Sequence, residues 1–358
     1  MQFKILSLDG GGVRGVFAAA FLAEIERKVR RPIGEYFDLI AGTSTGAIVA
    51  AQLARGNTAS SAEELYLRLA RDVFHRSKAC LSARVVNFAL RLASLRLSWL
   101  RGLDGAWLLR PKYSADSLRQ ALHEAFGAAT LGELRRRLLI PAVDLIRGQT
   151  IVFKTPHSPR FFRDRDVRVV DALLATAAAP TYFPPAIIRT GSAYCDGGLW
   201  ANHPGMVAYA EVLSLNRELA LLSGQSTCET SEISMLSIGT GARPYSTLLE
   251  PNTAGIAQWI PFLFDVTSSS QSQGTHFQLQ YLLRDRYQRV DFVVPDESWR
   301  LDEWRVAPQL AHLGREEAIR RMDELVPRFF RVPAPNFAPT PTTPEFRTGG
   351  PEIPLKQT

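Results

Sequence analysis

Gly42-Thr43-Ser44-Thr45-Gly46 sets a serine between two glycines, each two residues away. A serine hydroxyl becomes a nucleophile when a base takes its proton and the backbone holds it clear of its neighbours. The G-x-S-x-G spacing supplies the second condition. A serine at a sharp strand-to-helix turn is forced into a strained conformation, and only glycine-sized flanks leave room for it. The stretch YFDLIAG (36–42) reads as a short strand and AIVAAQLA (47–54) as a buried helix, the context such a turn needs. The alternative is a tight turn with no chemistry.

The usual base for a serine is histidine. The six histidines are His75, His123, His157, His203, His276 and His312. Apart from His203 in DGGLWANHP, none stands in a strand-end loop with a supporting motif, and each reads as a surface or structural residue. Asp196 is a different base. AYCDGGLWANHP sets its carboxylate before Gly197 and Gly198, whose lack of side chains lets the backbone approach another element closely. An aspartate with its ordinary pKa of about 3.9 is a poor base for an alcohol. Partial desolvation and hydrogen-bond reach of the serine would make it serviceable.

DGGGVRG (9–15) runs three glycines between a predicted strand, FKILSL (3–8), and a predicted helix. The free N–H groups of such a loop converge near a helix N-terminus and bind an anion, either a nucleotide phosphate or the oxyanion of a tetrahedral intermediate. Arg14 adds a positive charge. Gly10, Gly12 and Gly15 also fit G-x-G-x-x-G formally, with Glu35 and Asp38 near the spacing that a dinucleotide site requires. That alternative leaves Ser44 and Asp196 unexplained. A Walker-type loop is excluded, because no G-K-[ST] follows.

The elements that must position these residues alternate: strand, glycine turn, helix, twice over. The pattern implies parallel strands in a sheet covered on both faces. Further strands are expected at 138–145, 150–154 and 234–241, and helices at 61–74, 114–126, 205–222, 274–284 and 308–326. Between Asp72 and Asp104 six Lys or Arg residues occur and no carboxylate. Val85, Phe88, Leu92, Leu95 and Trp99 repeat there at helical spacing, so 73–103 reads as a basic amphipathic helix, a lid or a membrane-facing segment. The domain is expected to span 1–331. From 332 to 358 seven prolines predict an extended or disordered tail.

DGGGVRG, GTSTG and DGG, in this order, together with TAAAPTYFPP (176–185) and SIGTG (237–241), resemble the patatin-like phospholipases from about residue 3 to about 330. The resemblance implies a three-layer α/β/α fold with a central, mostly parallel sheet. It also implies a Ser–Asp dyad with no histidine. Ser44 would attack an ester carbonyl and Asp196 would accept its proton. The amides of Gly11 and Gly12, with Gly10 and Arg14 nearby, would hold the oxyanion, while Gly42, Gly46, Gly197 and Gly198 shape the two turns. The product would be a free fatty acid cut from membrane phospholipid, with no metal and no organic cofactor.

Compact members of the family include bacterial antiphage effectors switched on by a cyclic dinucleotide, which makes such a nucleotide a candidate activator. No ligand residue transfers from these motifs, but the arginines in 284–305 are candidate phosphate partners. The competing functions are a constitutive acyl hydrolase and a non-hydrolytic nucleotide-binding module.

The 358 residues are 46% hydrophobic and 22% charged, enough to bury a sizeable core and too apolar for disorder throughout. A net charge of +7 favours anionic partners, although no nucleic-acid motif accompanies it. Cys80, Cys195 and Cys228 have neither disulfide nor zinc spacing. The N-terminal apolar stretch is too short for a signal core, and no apolar run reaches bilayer-spanning length. A cytoplasmic protein is expected, peripheral to the inner face of the membrane, with a homo-oligomer as a further candidate state.

Overall fold

The computed structural model describes residues 2–74, 111–158, 161–189, 192–223, 232–242, 256–295 and 299–339. Beyond Phe74, the basic segment 73–103 lies outside them, as does the tail from 340 onward.

Phe3–Leu8 (β1) is apolar at nearly every position and becomes the buried centre of the sheet, parallel to Leu39–Gly42 (β2) on one side and to Ile233–Ile238 (β7) on the other. Tyr287–Val290 (β8) extends the sheet beyond β7, also in parallel. A strand with helices on both faces has no polar side to alternate, which is why FKILSL reads as a continuous apolar run. On the other flank Arg137–Asp144 (β3) pairs with β2 in parallel, while Gln149–Lys154 (β4) pairs with β3 antiparallel. Ala186–Arg189 (β5) and Ser192–Asp196 (β6) form a hairpin, and β6 also pairs antiparallel with β3. Among the described residues these eight strands make one sheet.

Helices cover both faces. One core holds the side chains of Val16–Val29 (α1), Thr45–Arg55 (α2), Ala59–Phe74 (α3), Asp116–Phe126 (α4) and Val169–Thr176 (α5). Ala307–Phe329, here α9, closes on α1 so tightly that a Cβ on Gly314 would overlap Phe17 O. The opposite face holds a smaller core under Gly205–Ser223 (α7) and Ile256–Leu283 (α8). The short helix Gly198–Ala201 (α6) follows β6 directly. The expected three-layer, mostly parallel architecture is therefore the one observed.

One piece of topology positions the chemistry. On β3, Leu139 is opposite both Ala41 of β2 and Lys154 of β4, whereas Ala142 is opposite both Asp196 of β6 and Ile151 of β4. Two strands cannot share one edge of the same residues, so β2 and β6 both lie on the edge of β3 away from β4. They lie end to end there and run toward each other. Their C-terminal ends, Gly42 and Asp196, meet where Pro141 interrupts the ladder, since proline has no N–H to give.

Of the chain after α9, the described residues up to 339 are pinned to the domain. Ala334 N–H donates to Glu35 O at 2.8 Å, Arg136 Nη1 donates to Pro335 O at 2.7 Å, and the Lys4 ammonium donates to Val332 O.

Candidate active site

Ser44 sits on the turn from β2 into α2 with φ 52° and ψ −126°, a strained conformation for a residue with a side chain. A Cβ on Gly42 would come within 2.7 Å of Ala47 Cα, and one on Gly46 would overlap Asp9 O, so both flanks must be glycine. The strain is held by bonds the local sequence does not contain. Ser44 N–H donates to Thr176 Oγ1 at 3.0 Å, and the Thr176 hydroxyl donates to Pro141 O at 2.5 Å. Thr43 donates its N–H to Leu8 O at 3.2 Å and its hydroxyl to Ala201 O at 2.5 Å.

Ser44 Oγ donates to Asp196 Oδ2 at 2.6 Å, across 152 positions of chain. The other carboxylate oxygen accepts the Gly198 N–H at 2.7 Å. Asp196 is fully buried, and among the described residues no cation stands beside it. Burial drives its pKa up to about 7, against the pull of the Ser44 and Gly198 hydrogen bonds. Gly197 is required because a Cβ there would overlap Pro141 O. A carboxylate that protonates near neutrality, hydrogen-bonded to a hydroxyl, can accept and return a proton at physiological pH.

The glycine loop lies alongside. The Gly11 and Gly12 N–H groups donate to nothing among the described residues, whereas Gly10 N–H is spent on Asn202 O at 3.1 Å. Gly10 O in turn accepts from Asn202 Nδ2 at 3.2 Å and from the Thr240 hydroxyl at 2.7 Å. Gly10 thus anchors the loop, and its two successors are left as the donors. Gly12 has φ 54°, in the left-handed region, and its carbonyl accepts the hydroxyls of Tyr66 and Thr45. Arg14 lines the same cavity, 6% exposed, and its Nη2 donates to Asp265 Oδ1 at 3.2 Å while its Nε is buried without a partner.

These groups open into a cavity of about 390 Å³, within the range of small-ligand sites. Ile48, Leu69, Ala70, Val73 and Leu118 make one wall apolar. α8 contributes both polar side chains, Asp265, Ser268, Ser269, Ser272 and Gln273, and the aromatic rings of Phe264 and Phe277.

Among the described residues no histidine bonds Ser44; His75 lies outside them. His203 is fully buried between Ser7, Ser237 and Tyr287, at 3.0 to 3.2 Å, and burial with Arg289 nearby holds its pKa far below the usual value. His157 is buried against Glu211, and His312 pairs on the surface with Glu316. His276 borders the cavity and bonds Tyr287. Of the arginines in 284–305, Arg289 is committed to Asp9, through Nη1 at 3.0 Å and Nη2 at 2.7 Å, while Arg286 donates to Ile233 O. Arg300 and Arg305 line a different cavity. Among the described residues no three His, Cys, Asp or Glu side chains gather as a metal-binding group.

Thr176, Asn202 and Thr240, which orient Ser44 and the glycine loop, were not singled out from the sequence as site residues. Thr176 begins TAAAPTYFPP and Thr240 lies in SIGTG, so the motifs marked the segments but not the task of each hydroxyl.

The family model for patatin-like phospholipases matches residues 6–209. A protein of Escherichia coli (strain TW11681) named cGAMP-activated phospholipase is 34% identical over 320 residues, covering 83% of this chain and 82% of the relative. Another of that name, from Vibrio cholerae, is 33% identical over 364 residues, covering 94% and 96%. Patatin-like protein 1 of Arabidopsis thaliana is 29% identical over 326 residues, covering 80% and 73%.

Proposed function

The chain belongs to the patatin-like phospholipase family, an ester hydrolase lineage, and from that premise we propose that Ser44 is its nucleophile and Asp196 its base. The observation that carries this is the 2.6 Å bond from the Ser44 hydroxyl to a buried carboxylate whose pKa is lifted to about 7. As Oγ attacks the ester carbonyl of a phospholipid, its proton passes to Asp196 Oδ2. The carbonyl oxygen, now charged, is received by the unoccupied N–H groups of Gly11 and Gly12. Collapse of the tetrahedral intermediate breaks the C–O bond to glycerol, and Asp196 returns the proton to the departing alkoxide. The carboxylate then takes a proton from water, whose oxygen attacks the acyl-serine carbonyl; as this second intermediate collapses, the bond from Ser44 Oγ to the acyl carbon breaks, Asp196 returns the proton to Oγ, and the fatty acid leaves.

The substrate in this proposal is membrane phospholipid, its acyl chain along Leu69 and Val73 and its polar part toward α8. Among the described residues no helix is long and apolar enough to cross a membrane, so the protein would meet the bilayer from its surface. The activator is a cyclic dinucleotide. Relatives sharing 33–34% identity over most of the chain carry cGAMP activation in their names, and that supports this part.

The test is fatty-acid release from phospholipid vesicles, with and without cGAMP, by the natural protein and by Ser44→Ala. Release that depends on Ser44 and increases with cGAMP is expected. Equal release with and without nucleotide would remove the regulatory part alone, and full activity in Ser44→Ala would remove the dyad.

A further inference from the structure

One corner of the sheet reaches past the rest on the side where Ser44 stands. Ala41 of β2 is level with Leu139, so β2 ends opposite Ile140, while β3 runs on to Asp144. Four further residues carry it about 13 Å beyond the turn into α2. The hairpin from β3 to β4 then closes through Leu145, Ile146, Arg147 and Gly148. A turn is ordinarily built of polar residues and glycine. Here Leu145 is exposed and Ile146 is 65% exposed. The tip is held in shape, because Asp144 Oδ1 accepts the N–H groups of Ile146 and Arg147 at 2.9 and 3.1 Å. Ile187 of β5, 68% exposed, stands at the same level: it is opposite Ala193, whose carbonyl accepts the Leu145 N–H.

The apolar exposure continues to the mouth of the catalytic cavity. Leu199 lies on α6, three residues after Asp196, and is also exposed. A Cβ on Gly198 would be 3.1 Å from Phe264 Cζ, and Phe264 lines the Ser44 cavity. Leu263, beside Phe264, and Trp259, one turn earlier on the same face of α8, are 55% and 40% exposed. On the other side of the mouth Val293, exposed as well, pairs with Ala242, which lines the cavity.

We propose that this end of the molecule seats on an anionic bilayer, with Ile146, Ile187, Trp259 and Leu263 entering the headgroup layer. The assignment rests on the phospholipid substrate proposed above and adds the face through which that substrate arrives. A phospholipid drawn from a bilayer would expose its acyl chains to water, which is costly in proportion to their area. A rim that is apolar from the bilayer to Phe264 keeps them covered on the way to Ser44. Aliphatic side chains gain by leaving water, and an indole settles at the membrane interface. The charges at this end suit anionic headgroups. Arg147, next to Ile146, has a side chain 64% exposed, and its Nη1 donates to Asp144 Oδ2 at 2.8 Å. Arg300 and Arg305 are exposed beside Glu303, on the stretch whose Leu301 carbonyl accepts the Val13 N–H at 2.7 Å.

Docking is measured by sedimentation of full-length Ser44→Ala protein with vesicles of phosphatidylglycerol and phosphatidylethanolamine in equal parts, cGAMP present throughout. Ile146→Glu/Ile187→Glu alters two exposed positions outside the cavity. Val332→Glu is the control, since Val332 is 69% exposed at the opposite end of β1, where its carbonyl accepts from Lys4. The pair is expected to weaken vesicle binding at least about tenfold, and Val332→Glu to leave it unchanged. With Ser44 restored, vesicle hydrolysis should fall with binding, while cleavage of a soluble short-chain ester stays as it was. Lipid brominated in its acyl chains should quench the tryptophan emission of bound protein, and Trp259→Phe should remove most of that quenching. Binding by the pair within about twofold of its parent, an equal loss in Val332→Glu, or quenching untouched by Trp259→Phe overturns the face. Equal binding to pure phosphatidylcholine vesicles overturns the part given to charge. Should the pair keep vesicle binding but lose a dimer formed by the parent, the face belongs to a second copy and the proposal fails. A natural protein that ignores vesicles yet cleaves the soluble ester overturns the docking and leaves the dyad standing. One that docks by this face and releases no fatty acid overturns the phospholipid reading instead.

Discussion

Asp196 and Asp9 both stand at strand ends, 0% and 2% exposed, each next to one of the two glycine turns, and burial raises both pKa values, to about 7 and about 6. Their partners separate them. Among the described residues Asp196 accepts from a hydroxyl and a backbone amide, neutral donors both, so it can give up or take a proton without leaving a charge stranded. Asp9 accepts from both Nη atoms of Arg289, which also reaches Asp291 at 2.7 Å and Ser237. Burial disfavours the Arg289 charge, but Asp9 and Asp291 outweigh it and push its pKa up, so the guanidinium stays charged. The same residue type in the same kind of place is, in the proposed mechanism, a proton carrier in one case and an anchor for the glycine loop in the other. What differs is whether the carboxylate has a cation beside it.

The largest effect expected is on chemistry. Asp196→Asn keeps the shape and removes the proton acceptor, so ester hydrolysis should fall at least about a thousandfold with the circular dichroism spectrum intact. Activity within about tenfold of the natural protein would erase the distinction between the two carboxylates. Arg289→Met should act on folding instead. It leaves Asp9 buried without its cation and should cost about 3–5 kcal/mol in denaturant unfolding, with Asp9→Asn in the same chain recovering part of the loss.

The pH dependence comes next. Because Asp196 must be ionised to act, kcat/KM for a soluble ester should rise as pH passes about 7 and level off above it. Its folded pKa lies above the unfolded value near 4, so its contribution to stability is complete below about 4 and is lost as pH rises toward about 7. Asp196→Asn should flatten that decline in thermal melts. The smallest effect tests the apolar wall. Leu69→Trp should lower activity toward long-chain esters about tenfold relative to short-chain ones, measured as a ratio of kcat/KM values.

Much of this was legible in the residues. FKILSL and the run before GTSTG became the parallel strands expected, and the expected helices begin and end within a few residues of their positions, except α8, which starts well before 274; α5 and α6 were not expected. Hydrophobic patterning reports burial, and these elements are buried. The missed strands share a cause. β8 is four residues, YQRV, two of them polar, and β5 and β6 are four and five residues long. Strands so short are held by the neighbours they pair with, and no period within them announces it.

What the sequence by itself determined is the chemistry of the turns: which serine is held in strain, which glycines must lack a side chain, which amides lie open before a helix. The strained turn and the crowding of Gly42 against Ala47 follow from backbone sterics over about five residues, whereas Gly46 and Gly197 must lack a side chain because Asp9 O and Pro141 O come close to them. Only the tertiary structure decided that Asp196 faces Ser44, that Gly10 gives its amide to Asn202, that Arg14 is tied to Asp265, and that Leu301 rests on the oxyanion loop. Each depends on strand register and helix packing between segments far apart in the chain. The meeting of two strand ends at Pro141, on one edge of β3, is a property of the sheet that neither strand carries alone.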